Sequence, residues 1–382
     1  MGDTKCNKDG WVKKKLGDCF SYIKNGANIK QEKDAGGIPI TRIETLSNGI
    51  FNRDRLGYAG IEDTDKYESY ILESGDLLFS HINSKKYIGR TVVYQKKDGE
   101  QIIHGMNLLK LKVQSGVLLP FFAFYQFMSD RIKEQIASHR KDAVNQSSIS
   151  ISDLKKVSLI IPSLAEQQHI VSELDCLNGI IEKQKEQLKQ LDELAQSIFY
   201  DMFGDPVENE KGWEVKALGF LCFLKAGKSI KASEIIAHSE PLFYPCYGGN
   251  GIRGFINRYS HEGPFPIIGR QGALCGNVVL ARGLFYATEH AVVVRPKKDY
   301  INILWLYEVL SNLKLNRLAQ GVAQPGLTVS ALNRVSLILP PLPLQQAFAS
   351  KIEAIEHQKE LIKKSIAETE TLFNSRMDYY FG

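Results

Sequence analysis

Three places in this 382-residue sequence carry residue types that could make or break bonds: Glu289 beside His290, a glycine string from Tyr247 to Gly254, and Gly227-Lys228-Ser229. The glycine string contains a literal GxGxxG at Gly249, Gly251 and Gly254, the spacing that lets a backbone approach a dinucleotide pyrophosphate. The next residues, FINRYSHEGP, are broken by glycine and proline where that fold needs a helix, and no acidic residue stands near position 274 to take a ribose. A glycine-rich turn between two strands, with Asn250 and Arg253 exposed, fits better. Gly227-Lys228-Ser229 has the tail of a phosphate loop, but Cys222 occupies the position where that loop needs its first glycine. Glu289 and His290 resemble an acid–base pair, yet neighbours on a strand point to opposite faces, so the pair is expected to be split. The six cysteines are scattered without a CxxC pair or matching histidines. Neither an Asn-Pro-Pro-aromatic string nor a nuclease-type acidic pattern is present. The expectation is a chain with no catalytic centre, no metal site and no bound cofactor.

What remains is recognition by hydrogen bonds. In IIGRQGALCG the apolar Ile267-Ile268 ends a strand, so Arg270 and Gln271 fall in the turn beyond it. Arginine pairs bidentately with a guanine edge and glutamine with an adenine edge in a major groove. In the first half Ser80, His81, Asn83, Ser84, Lys85 and Lys86 fill the equivalent turn before Ile88-Gly89-Arg90. Lys85 and Lys86 suit phosphate oxygens better than bases, because most such contacts position rather than specify. Arg90, Tyr247 and His290 complete the candidate nucleic-acid-binding set.

These turns must be held by elements, and the elements are written twice. NQSSISISDLKKVSLIIPSLAEQQ from Asn145 aligns with AQPGLTVSALNRVSLILPPLPLQQ from Ala323, every pair 178 apart, so that Gln146 meets Gln324. The same spacing runs without a gap to Phe203-Gly204 and Phe381-Gly382. Upstream, Gly10-Trp11 meets Gly212-Trp213 at a spacing of 202, and the segment from Phe124 resembles that from Leu306 at 182. The chain reads as globular part, long helix, globular part, long helix.

Both helices carry a heptad. Ile170, Leu174, Leu177, Ile181, Leu188 and Leu191 lie on one stripe, and Ile352, Ile355, Ile362 and Ile366 on the other. From Glu166 to Phe203 such a helix would run about 57 Å. Two copies of a unit in one chain can pack about a pseudo-two-fold axis. The expected fold is therefore mixed α/β (α+β), with two pseudo-symmetric recognition domains separated by two long antiparallel helices that form a coiled coil. The expected boundaries are 1–150, 151–204, 205–328 and 329–382 for domain, helix, domain and helix. Trp305 and the aromatic cluster from Phe121 to Phe127 have helical spacing and are read as core.

Charge respects the same division. Residues 1–150 hold 23 Lys+Arg against 18 Asp+Glu and residues 205–328 hold 14 against 10, whereas 151–204 hold 5 against 9 and 329–382 hold 6 against 6. The positive surface therefore belongs to the globular parts, where a phosphate backbone would be met. No apolar run is long enough for a membrane helix and the first 15 residues are polar, so a cytoplasmic protein without a membrane partner is expected.

The strings YPCYGGNGIRGFINRY, IIGRQGALCGNVVL and TEHAVVV resemble a target-recognition domain of type I restriction-modification specificity subunits. ITRIETLSNGI, ESGDLLFSHINSKKYIGRTVVY and VSLIIPSLAEQQ in the first half resemble the same family, whose usual wording after GDLLFS is an arginine or lysine rather than His81-Ile82. The resemblance spans nearly the whole chain. It implies a subunit that binds double-stranded DNA at two half-sites and recruits two modification (methyltransferase) subunits along its helices. It also implies binding of restriction (motor-nuclease) subunits, with S-adenosylmethionine, ATP and Mg used in those partners. Half-site centres about one helical turn apart are expected. The alternative is a tandem coiled-coil scaffold that assembles proteins without touching DNA.

Overall fold

A computed structural model describes residues 10–31, 35–47, 49–144, 146–272, 274–319 and 326–382. Cys6, Asn145, Ala273, Ala323 and Gln324 lie outside the described residues. The chain divides into two compact units, residues 1–184 with 365–382, and residues 185–364. Each long helix, Leu164–Phe203 and Leu342–Phe381, is shared between them.

In the first unit an antiparallel four-stranded sheet runs in the order Phe20–Asn25, Leu109–Val113, Leu77–Phe79, Thr91–Val93. The second unit builds the same order from Cys222–Ala226, Ala291–Pro296, Phe265–Gly269 and Val278–Ala281. In each the third strand reads as a near-continuous apolar run because both of its faces are covered. Each unit also closes a two-stranded antiparallel ribbon between its start and the segment before its long helix. Val12 pairs with Ile161 in one, and Glu214 with Leu339 in the other. The spacings of 202 and 178 found in sequence are the two edges of this ribbon. The units differ in what fills the rest. The second adds a four-stranded sheet, Gly251–Ile256, Tyr244–Gly248, Leu284–Ala287, His261–Glu262, where the first has short 3-10 turns and isolated bridges.

The core of each unit is where the long helices dock. Every position of the two heptad stripes is buried or half-buried: Ile170, Leu174, Ile181, Ile352 and Ile355 fully, Leu177, Leu188, Leu191, Ile362 and Ile366 in part. In the first unit Arg376 and Tyr380 bond Glu173, and Gln184 donates to Ser365 at 2.7 Å, so the two helical segments run antiparallel there. In the second unit Lys359 pairs with Asp192 at 2.7 Å and Phe348 packs on Phe199 at 5.8 Å, again antiparallel.

Two devices recur at equivalent places. Gln167 is fully buried; its carbonyl accepts from Leu119 N–H at 2.9 Å and its amide donates to the carbonyls of Val117 and Pro162. Gln345 does the same with Asn302, Tyr300 and Pro340. Each amide satisfies backbone groups at two helix starts that would otherwise be buried without partners. These caps put the short helices Pro120–Met128 and Ile303–Asn312 in a register one residue off the 182 read from sequence. The second device is aromatic. Phe381 meets Phe122 edge-on at 5.4 Å in the first unit, and Phe203 meets Trp305 at 6.5 Å in the second. Trp305 and Phe122 are fully buried, as their spacing predicts.

Candidate nucleic-acid interface

In both units the connection between the third and fourth sheet strands is the turn that the sequence marks, Ser80–Arg90 in one and Arg270–Asn277 in the other. Backbone pairing aligns them residue by residue. Ile149 N–H donates to the His81 carbonyl at 3.0 Å, and Leu327 N–H, its repeat mate, donates to the Arg270 carbonyl at 2.8 Å. Ser148 then pairs with Ile82, and Gly326 with Gln271. His81-Ile82 therefore stands in the first unit where Arg270-Gln271 stands in the second.

The second unit assembles most of its predicted residues around one shallow depression of about 390 Å³, lined by Gly249, Asn250, Arg253, Gln271, Gly272, Leu274 and His290. Gly249 and Asn250 form the two-residue turn of the Tyr244–Gly248/Gly251–Ile256 hairpin, so the GxGxxG string is a turn and not a cofactor loop. Asn250, Arg253 and Gln271 are exposed. Arg270 N–H donates to the His290 carbonyl at 3.0 Å, tying the two turns together, and Arg270 is half-buried. Close backbone packing holds the arrangement: a β-carbon on Gly269 would collide with the Gly249 carbonyl oxygen. Leu274, 55% exposed beside these polar groups, is a neighbour that sequence reasoning does not single out. Exposed apolar side chains are common enough that only its surroundings mark it.

The structure corrects two expectations in this unit. Tyr247 does not face outward: it is 8% exposed and its ring packs edge-on against Phe285 at 5.6 Å inside a core of Ile267, Ala281 and Val293. Burial raises its phenol pKa, and its contacts with Phe285 and the surrounding core make it a support of the turn rather than a surface group. Glu289 and His290 are not split across a strand. They lie in the turn before Ala291–Pro296, and there adjacent side chains do meet, His290 Nε2 and Glu289 Oε1 being 3.3 Å apart.

In the first unit the same turn is drawn inward at its start. Ser80 is 1% exposed, its hydroxyl accepting from Asn83 Nδ2 at 3.1 Å. His81 is 7% exposed, and burial lowers its pKa to about 4, so the imidazole is neutral near pH 7. Both are placed inside the domain rather than on its surface. Ser84, Lys85 and Lys86 are exposed; Lys85 lies 3.5 Å from Asp142 and Lys86 rests over the Tyr87 ring. Arg90 stacks on that ring from 3.9 Å and donates to the Leu46 carbonyl, so it props the turn. Sequence reasoning misses the strand pair Lys141–Asp142 and Ser147–Ser148, which adds to Ile82–Asn83 as a small three-stranded sheet. Strands of two residues carry no periodicity to detect.

Among the described residues no three His, Cys, Asp or Glu side chains come together as a metal site, and no helix is long and apolar enough to cross a membrane. A profile described as the type I restriction modification DNA specificity domain matches residues 8–192 and 210–371. The chain belongs to this type I specificity family. It is 28% identical over 388 residues to the putative type I restriction enzyme MjaX specificity subunit of Methanocaldococcus jannaschii, covering 95% of this chain and 90% of the relative. To the type I restriction enzyme EcoprrI specificity subunit of Escherichia coli it is 44% identical over 150 residues, 39% of this chain and 37% of that protein. The fold is similar to the crystal structure of the type I restriction-modification S subunit from M. genitalium, with a TM-score of 0.63 at 16% identity, over 99% of this chain and 98% of that one. The specificity family thus accounts for both globular parts and both helical segments.

Proposed function

We propose that this chain reads double-stranded DNA at a bipartite, asymmetric site, one half-site per unit, and performs no chemistry of its own. The observation that carries this reading is the pair of aligned turns on equal sheets: the frame is repeated, while the tips, His81-Ile82 and Arg270-Gln271, differ. Equal frames address equal features of a duplex, and different tips address different bases. In the second unit Arg270, Gln271, Asn250, Arg253 and His290 are the groups we assign to base edges and the adjoining backbone. In the first, Lys85 and Lys86 are assigned to phosphates. Stripe residues of the long helices organise the surface that receives two modification subunits and, through them, restriction subunits. Methyl transfer from S-adenosylmethionine and ATP- and Mg-dependent translocation and cleavage are assigned to those partners, all of them acting in the cytoplasm.

The test is binding of the purified chain to a mixed pool of duplexes across a salt series, with methyl transfer assayed before and after adding modification subunits. Affinity should fall steeply with salt, and methylation should appear only with the partners. Absence of binding at any salt would favour a protein scaffold, and methyl transfer by the chain alone would make it an enzyme.

A further inference from the structure

Buried polar atoms without a hydrogen-bond partner are few, and half of them gather in one place. Among the described residues eight side-chain atoms are in this condition, and four belong to two adjoining turns of the second unit: Arg270 Nε, Thr288 Oγ1, Glu289 Oε2 and His290 Nδ1. Each such atom costs stability, so a cluster of them marks a place where stability is given up for function. Thr288 is fully buried and its hydroxyl is still unpaired. The backbone is fixed from both sides, Thr288 N–H donating to the Tyr247 carbonyl at 2.9 Å and Ala291 N–H to the Thr288 carbonyl at 3.0 Å. The cluster does not belong to the duplicated frame. Ala27 N–H donates to the His104 carbonyl and Lys228 N–H to the Ala287 carbonyl, so Gly105-Met106-Asn107 stand in the first unit where Thr288-Glu289-His290 stand in the second.

We propose that Glu289 is a base-reading residue of the second unit, its carboxylate accepting from N4 of a cytosine whose paired guanine is read by Arg270. This assignment rests on the DNA-reading function proposed for the chain and names the base pair that the site takes. The Glu289 side chain is 36% exposed, and Oε1 lies 3.3 Å from His290 Nε2 while Oε2 has no partner. The terminal torsion of a glutamate is soft, so either oxygen can be brought outward. A carboxylate only accepts, and it is repelled by phosphate, so it serves no backbone contact. In the major groove cytosine presents the N4 donor alone, whereas adenine sets the N7 acceptor beside its N6 donor, where a carboxylate would meet a like charge. Guanine, on the other side of the same pair, presents O6 and N7, the two acceptors that an arginine matches. Arg270 N–H donates to the His290 carbonyl at 3.0 Å, which holds the arginine and the glutamate on neighbouring, fixed turns.

The experiment uses the full chain and a duplex carrying its two preferred half-sites, with every base pair replaced in turn and affinities measured by competition. Wild type, Glu289→Gln, Glu289→Ala and Arg270→Ala are compared, each checked for unchanged melting. Glutamine keeps an acceptor for His290, but its second terminal group is a donor, so it rescues a merely positioning role and not the reading of cytosine. Both Glu289 variants should lose discrimination of about 5- to 100-fold at one G·C pair, the pair at which Arg270→Ala also loses it, with the other half-site untouched. Unchanged preferences in Glu289→Gln would overturn the assignment, as would loss at any other pair. So would a uniform gain in affinity over all sequences, which would make the carboxylate a plain repulsion of the backbone. A wild-type chain that binds no duplex at low salt would overturn both the assignment and the function on which it rests, whereas a selective wild type with unaltered Glu289 variants would overturn the assignment alone.

Discussion

The turn beyond the third sheet strand opens on half-buried Arg270 and exposed Gln271 in the second unit and on buried Ser80 and His81 in the first, although the same backbone hydrogen bond from the returning segment anchors both. The hydrogen bond comes from residues repeated 178 positions apart, Ile149 and Leu327, so the anchor belongs to the duplicated frame. Exposed side chains at the tip of the second unit are free to diverge. In the first the two leading residues of the turn, Ser80 and His81, are buried, and Ser84, Lys85 and Lys86 remain exposed. Turn tip and frame are thus separable, and substitutions can probe one without the other.

The frame should show the largest effects. Phe381→Ala and Phe203→Ala each remove a fully buried ring that meets Phe122 or Trp305, and each should cost about 3–5 kcal/mol in denaturant unfolding. The loss should fall on the unit in which the ring is buried, read as hydrogen-exchange protection lost in that unit first. Equal loss across both units from either variant would mean that the duplicated frames are not separate cores.

Acid should distinguish the units next. A histidine in the unfolded chain titrates near the ordinary 6.5, but burial lowers His81 to about 4 and His104 to about 3. Between those values the unfolded chain binds protons that the folded unit refuses, so stability falls as pH drops from about 6.5 toward 4 and is fully recovered above it. The His81 contribution is on the order of 3 kcal/mol. His261 of the second unit is lowered in the same direction by burial. Urea midpoints at pH 7 and pH 5 for wild type and His81→Asn measure this. The variant should lose less of its first-unit stability on acidification, and an identical pH response would refute the burial of that imidazole.

Reading should be affected at one end only by Arg270→Ala or Gln271→Ala, with about 1–3 kcal/mol of discrimination lost at one half-site. Because His81 is buried, His81→Asn should leave base preferences unchanged. A base-specific defect in His81→Asn would collapse the contrast between the two turns. The smallest effects are expected at Lys85 and Lys86. Alanine at either should weaken binding evenly over all sequences and reduce the salt slope by about one, as loss of a phosphate contact does.

Much of this architecture is legible in the sequence, and the reasons are physical. Long helices announce themselves because a 3.5-residue stripe recurs over many turns, and every stripe position from Ile170 to Leu191 and from Ile352 to Ile366 is at least half-buried. Arg270 and Gln271 can be placed in a turn because the apolar run ending at Ile268 marks where the strand stops. Burial of individual turn residues is not legible. Ser80, His81 and Tyr247 are polar or amphipathic types whose exposure is set by tertiary packing, as where the Tyr247 ring meets Phe285. The meeting of Glu289 with His290 escapes a sequence reading because alternation assumes a strand, and the strand begins only at Ala291.

Two equal frames carrying two different readers is the claim on which the rest depends. Sequencing the duplexes that the full chain retains from a randomised pool, at low and at raised salt, tests it most directly. The expected result is two short conserved blocks of unlike sequence separated by unconserved positions, with retention falling as salt rises. A single block, two blocks related as a palindrome, or a retained pool with no conserved positions would contradict it.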